Sequence, residues 1–297
     1  MIKENKGDRI FNIINYTVMT LALIIVAYPI IYILSASISD PTYVNSGQMW
    51  LLPKGLTIEG YKRVFNNPDI WIGYGNTIFY TVAGTCISLF ITIPCAYALA
   101  KKDLPGKGFF SAMFLFTMFF SGGLVPLYML IKNLGLLNSR WSIILMGAAS
   151  IWNIIITKTF LQMTIPIELE EAMEIDGCNV FNKFFRMVLP LSAPIIAVMA
   201  LFYGVGRWNS YFNEMIFLKD SYKYPLQVFL REILIITQMN AGQNLNSQEV
   251  QTMAEMAKLA DMIKYAVMIV STLPLIIIYP FLQKYFVKGV MIGSVKG

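Results

Sequence analysis

The residues whose types and spacing carry most chemistry lie between Pro166 and Pro190. Pro166 suits the first turn of a helix, where a missing N–H costs nothing, and Glu168, Glu170 and Glu171 sit near the positive helix end. Asp176-Gly177 then supplies a stop, with a glycine tolerant of positive φ. A second amphipathic stretch carries Phe181, Phe184, Phe185 and Val188 at helical spacing, and Pro190 opens another helix. The pattern predicts an elbow over about 166–187 at a membrane surface. From spacing alone it is either a docking device or a plain surface bend.

A second constellation gathers Trp208, Asn209, Tyr211, Phe212 and Asn213. Aromatic faces that stack on a sugar ring and amides that bond its hydroxyls are a binding set, although the same residues suit an aromatic belt at a membrane interface. Arg207 and Glu214 flank them, either as ligands or in headgroup water. Asn153 and Thr157, four apart in an apolar run, either face a polar pathway or serve helix packing, and packing is favoured. Ser121-Gly122-Gly123 with Pro126 either unwinds a helix beside a cavity or permits close helix contact.

Enzymatic chemistry is poorly provided for. The chain has no histidine and no Asp-x-Asp pair, which disfavours a membrane glycosyltransferase. It also lacks a Gly-x-x-x-x-Gly-Lys-Ser/Thr loop, so it does not hold ATP phosphates by that device. Cys86, Cys95 and Cys178 indicate no disulfide framework, and no residue set suits a metal. Lysines and arginines are spread singly, which argues against nucleic acid as the partner.

The elements that must position these residues are membrane spans. With 57% hydrophobic and 13% charged residues, and a mean hydropathy of +0.60, the solvent is lipid. Apolar runs at about 11–37, 76–100, 109–131, 141–161, 188–206 and 263–287 predict about six transmembrane helices in a single all-α domain, 1–297. Between them fall two long outer connectors, about 38–75 and 207–262, and the second holds an amide-rich stretch near 238–248 that suits a mobile tip. If the N-terminus is cytoplasmic, the inner connectors hold about twelve Lys and Arg in some sixty residues, against about eleven in over a hundred outside. That asymmetry places both termini in the cytoplasm. A carrier working alone on an ion gradient should bury ionisable groups in repeated halves, and neither feature is visible.

Glu171-Ala172, Gly177 and Leu189-Pro190 at this separation resemble the EAA signature of permease subunits of binding-protein-dependent ABC importers. Met173 departs from the usual Ala and Met187 from the common Ile, both remaining apolar. Leu52-Pro53-Lys54-Gly55, Asn76-Thr77, Pro126-Leu127-Tyr128, Trp208-Asn209 and the tail from Lys288 to Gly297 are similar to the maltose-type carbohydrate branch. Ser121-Gly122-Gly123 points to its oligosaccharide or polysaccharide subgroup. The resemblance implies the type I importer permease fold in a bacterial plasma membrane, with the elbow as a coupling helix that docks on a cytoplasmic ATPase dimer. Glu171, Ala172, Asp176, Gly177, Leu189 and Pro190 would serve that coupling.

It further implies a second homologous permease subunit and an extracellular or periplasmic solute-binding protein, with Gln243, Asn244 and Asn246 as contacts for the latter. The chain would bind no cofactor, ATP and Mg lying on the partner ATPase. The solute implied is a carbohydrate, with a non-sugar solute as the alternative. Trp208, Asn209, Tyr211, Phe212, Asn213, Asn153 and Gly122 are the pathway candidates.

Overall fold

The computed structural model describes residues 6–240, 261, 263–280 and 283, and all regular structure among them is helical. The chain gathers into two compact units, Met1–Ile70 with Leu230–Leu273 and Trp71–Phe229 with Pro274–Gly297.

In the first unit, α1 (Lys6–Ser37) is exposed along nearly its whole apolar length. At about 1.5 Å per residue it exceeds the roughly 30 Å of a bilayer core. The connector after it is folded. α2 (Pro41–Asn45) begins with a proline and is capped by Asp40, whose carboxylate accepts from the Thr42 N–H at 2.8 Å. α3 (Glu59–Asn66) follows. Tyr61 shares a 2.8 Å hydrogen bond with the Ser37 hydroxyl, and Thr57 donates its N–H to Ile38. Ala36, Val44 and Met49 form a small core with Tyr32 and Tyr265, so apolar burial holds this segment together.

In the second unit, α4 (Pro68–Ala100) starts eight residues before the expected 76, because Asn67 and Pro68 provide a helix start that the hydropathy run does not mark. The expected span 109–131 is two helices, α5 (Lys107–Phe119) and α6 (Leu124–Asn133), bent by 113°. Gly123 takes φ +85°, and Pro126 has no N–H to return to the Gly122 carbonyl, so the helix cannot run through. The expected span 141–161 is likewise broken into α7 (Arg140–Leu145) and α8 (Ile151–Thr164). Gly147 at φ +70° makes the turn, and Ser150 caps α8 by accepting from the Asn153 N–H.

Beyond α8 lie α9 (Ile167–Ile175), α10 (Val180–Lys183), a π-helical turn at Phe184–Val188 and α11 (Leu189–Leu191). The span expected over 188–206 starts later, as α12 (Ala193–Trp208), after a 76° bend at Ser192. Pro190 and Pro194 remove the N–H groups that would bond the carbonyls of Arg186 and Pro190, and the break falls between them. The connector expected from 207 contains α13 (Phe212–Phe217) and α14 (Leu226–Asn240), and α15 (Ile263–Pro280) is the last described helix. Helices α1, α4 and α15 are long and apolar enough to cross a membrane, and each bent pair counted as one span makes five.

Two cores of this unit position the functional segments. One joins Ala96, Tyr97 and Leu99 of α4 to Ile154 and Leu161 of α8 and to Met187 and Val188 at the end of the elbow. The other packs Tyr80 against Ile131, Ile143, Ile144, Phe217 and Leu218. Asn138, at φ +57°, accepts from the N–H groups of Lys219 and Asp220 and donates to the Asp220 carboxylate at 2.8 Å. Lys223 closes this knot by bonding both Asn138 O and Asp220, and those bonds from Lys223 and Asn138 hold the Asp220 carboxyl below its usual range.

Candidate functional site

The elbow is built from local signals. Pro166 stands at the N-cap of α9, with Glu168 and Glu170 in its first turn. At the other end the Cys178 N–H reaches the Met173 carbonyl at 2.9 Å and the Gly177 N–H reaches Glu174 at 3.0 Å, with Gly177 at φ +74°. This is a Schellman termination, and it requires a left-handed residue after Asp176. Asn179 restarts the chain by accepting from the Asn182 N–H at 2.8 Å.

One side of α9 is anchored and the other is not. Glu170 pairs with Lys101 at 3.1 Å, and Met173 packs on the Tyr97 cluster. Burial opposes the Lys101 charge, yet the Tyr97 hydroxyl and the Glu170 carboxylate outweigh it and raise its pKa. Glu168, Glu171, Ala172 and Ile175 recur at i, i+3, i+4 and i+7, share the opposite face, and are all exposed, Ile175 by 88%. Asp176 and Gly177 are exposed beside them, Leu189 is half-buried and Pro190 exposed.

Within the elbow, Lys183 is only 3% exposed and donates to the Glu174 carboxylate, joining α10 back to α9. That hydrogen bond holds the Glu174 carboxyl below its ordinary range. Because the folded pKa is depressed, the stabilisation is present above the unfolded value and is lost as pH falls through the folded one. Glu174→Gln therefore lowers the melting temperature at pH 7. In a pH series of thermal melts, variant and parent converge only below the ordinary glutamate range, about pH 4.3. Convergence already at pH 6 would contradict the pairing.

The other expected site residues separate into two groups. Trp208 is buried edge-on against Tyr74, with centroids 5.9 Å apart, and the Asn209 amide donates to Val205 O of its own helix. Both support the end of α12. Tyr211 and Phe212 are exposed, and Gly122 lies in the exposed, unwound break between α5 and α6. Asn153 and Asn213, by contrast, line one pocket of about 300 Å³ with Ser150, Tyr203, Arg207 and Glu214. Thr157 donates to the Asn153 carbonyl within α8. Gln243, Asn244, Asn246, the rest of the amide-rich stretch past Asn240, and the tail from Lys288 lie outside the described residues.

Sequence reasoning placed Arg207 and Glu214 among ligands or headgroups and missed what they do. Glu214 is 3% exposed and accepts from the Ser210 hydroxyl at 3.0 Å. Arg207 donates to the carbonyls of Ile143 and Ile144 at 3.2 and 2.9 Å and to Ser88 at 3.2 Å. It thus caps the C-terminal carbonyls of α7 from another helix. Gly84 makes room for it: a Cβ there would stand 2.5 Å from Arg207 Cδ and closer still to Nε and Cζ.

Residues 69–292 match the family of binding-protein-dependent transport system inner membrane components, and the chain belongs to that family. It is 40% identical to Protein LplC of Bacillus subtilis, covering 99% of this chain and 97% of that one. It is 39% identical to the polygalacturonan/rhamnogalacturonan transport system permease protein YtcP of the same organism, covering 98% and 99%. Among solved structures it is similar to a chain of a bacterial ABC transporter involved in the import of the acidic polysaccharide alginate. That match has a TM-score of 0.84 and 34% identity, over 96% of this chain and all of the other. The chain is an integral membrane permease component of an ABC importer, and ATP hydrolysis falls to a partner subunit.

Proposed function

We propose that this chain forms part of the pathway of an ATP-driven carbohydrate importer and takes its power stroke from a cytoplasmic ATPase dimer through the elbow. The observation that carries this reading is α9 itself. One side is fixed to the end of α4 by Glu170–Lys101 and Met173, while Glu168, Glu171, Ala172 and Ile175 stay open on the other. A rigid helix with one anchored and one open face transmits a push, and small Ala172 lets a partner approach closely. Asp176 and Gly177 fix where that helix ends, and Leu189-Pro190 leads on to the bend before α12.

Carbohydrate as the solute is supported by the relatives, which include the polygalacturonan/rhamnogalacturonan permease and an arabinooligosaccharides permease 26% identical to this chain. A second permease, the ATPase pair and a solute-binding protein complete the assembly in this reading, with ATP and Mg held by the ATPase. A photo-crosslinking residue at Ala172 in the purified complex tests the elbow. The expected result is a covalent adduct with the ATPase, and adducts with lipid alone would contradict it.

Both termini in the cytoplasm, which the charge asymmetry supports, put position 103 inside and position 55 outside. With the native cysteines removed, a membrane-impermeant thiol reagent should label a cysteine at 55 in intact cells and leave one at 103 untouched. Labelling at 103 would reverse the orientation.

A further inference from the structure

We infer that this chain contributes a solute subsite of its own, the pocket between α8, α12 and α13, and that it holds one sugar ring by its hydroxyls. The inference rests on the carbohydrate-importer reading and adds where the solute is gripped.

Asn153 is 7% exposed and lines the pocket, and its side-chain amide makes no hydrogen bond among the described residues. An amide that bonds no protein group and opens on a cavity keeps its two donors and its acceptor for whatever fills that cavity. The amide of Asn213, which lines the same pocket, likewise makes no hydrogen bond among the described residues. The Ser150 oxygen accepts from the Asn153 N–H and its own hydroxyl hydrogen remains available. The Glu214 carboxyl takes one bond from Ser210 and keeps further acceptor capacity.

The charge balance selects the ligand class. Arg207 is the pocket's cation: its Nη atoms donate to Ile143, Ile144 and Ser88, and its buried Nε has no hydrogen-bond partner among the described residues. The guanidinium charge stands opposite the Glu214 carboxyl on the same lining, so neither sign dominates the pocket to draw a carboxylate, and its uncharged amides and hydroxyl suit hydroxyls. Two amides, a hydroxyl and a carboxyl mix donors with acceptors as a polyol requires, and Tyr80, Phe202 and Tyr203 add ring surface. A volume of about 300 Å³ lies at the low end of small-molecule sites and gives room for one sugar ring.

The test uses the complete complex in proteoliposomes, with raffinose, galactotriose, arabinotriose and trigalacturonate as probes. For whichever probe the parent complex imports, Asn153→Ala is expected to raise the half-saturating concentration about three- to tenfold, one hydrogen bond's worth, with the maximal rate regained at saturation. Asn213→Ala, at a half-exposed position, gives the same shift if Asn153→Ala fails to assemble. An unchanged half-saturating concentration in both variants overturns the subsite and leaves the importer reading standing. A fall in maximal rate alone marks the amides as structural and overturns it too. Tighter trigalacturonate handling by Glu214→Gln would mean that a carboxylate sits there, against the hydroxyl assignment. If the parent moves none of the four, the carbohydrate reading fails first and the subsite with it.

Discussion

Gly177→Val abolishes transport while the protein still inserts in the membrane. Gly177 holds φ +74° at the end of α9, where the Cys178 and Gly177 N–H groups bond back to Met173 and Glu174. A β-branched residue opposes that conformation at a cost of about 1–3 kcal/mol if the turn is kept. An added Cβ would meet nothing within 4 Å, so the damage arises from backbone conformation and not from a clash. Gly177→Asn separates the two causes, because asparagine tolerates the left-handed region. The expected order in reconstituted uptake is glycine, then asparagine close behind, then valine near zero. Equal activity of valine and glycine would remove the elbow's end from the coupling mechanism.

Gly84→Val has an effect of similar size by a different route. Its side chain would occupy the space of the Arg207 guanidinium, which is tied to Ile143, Ile144 and Ser88 and cannot swing aside without losing those bonds. Hydrogen bonds to a charged group contribute about 1.5–3 kcal/mol each, so a loss of about 3 kcal/mol or more in stability is expected. The carbonyls at the end of α7 would be uncapped where that helix meets the Gly147 turn. A double-mutant cycle assigns the cause. In an Arg207→Ala background the Gly84→Val change should cost far less, and thermal melting of the solubilised complex reads the difference. Additive costs would show that Gly84 matters for some other reason.

What the sequence disclosed follows from how local each signal is. Pro166, Gly177 and Pro190 specify helix ends through their own backbone chemistry, so the elbow's shape is readable residue by residue. The Gly122-Gly123 pair with Pro126 also marks its break. The break inside 141–161 is hidden, because the apolar run continues through Gly147 and only the Ser150 cap hints at a restart. Arg207 and Glu214 were least legible. Their places depend on Gly84, on backbone carbonyls at 143 and 144, and on Ser210, and a hydropathy run says nothing of which carbonyl faces which helix. Asn153 looked like a packing residue because its spacing to Thr157 suits one, while its missing partner is visible only in three dimensions.

ATP-driven uptake tests the importer and its elbow most directly. Proteoliposomes containing this chain, its partner permease and the ATPase, supplied with the solute-binding protein, should accumulate labelled oligosaccharide only when ATP is enclosed with the ATPase. Loss of uptake on replacing Ala172 with tryptophan, with the ATPase still present in the vesicles, would place the energy transfer at the elbow. Accumulation driven by an ion gradient in vesicles holding this chain alone would contradict the account.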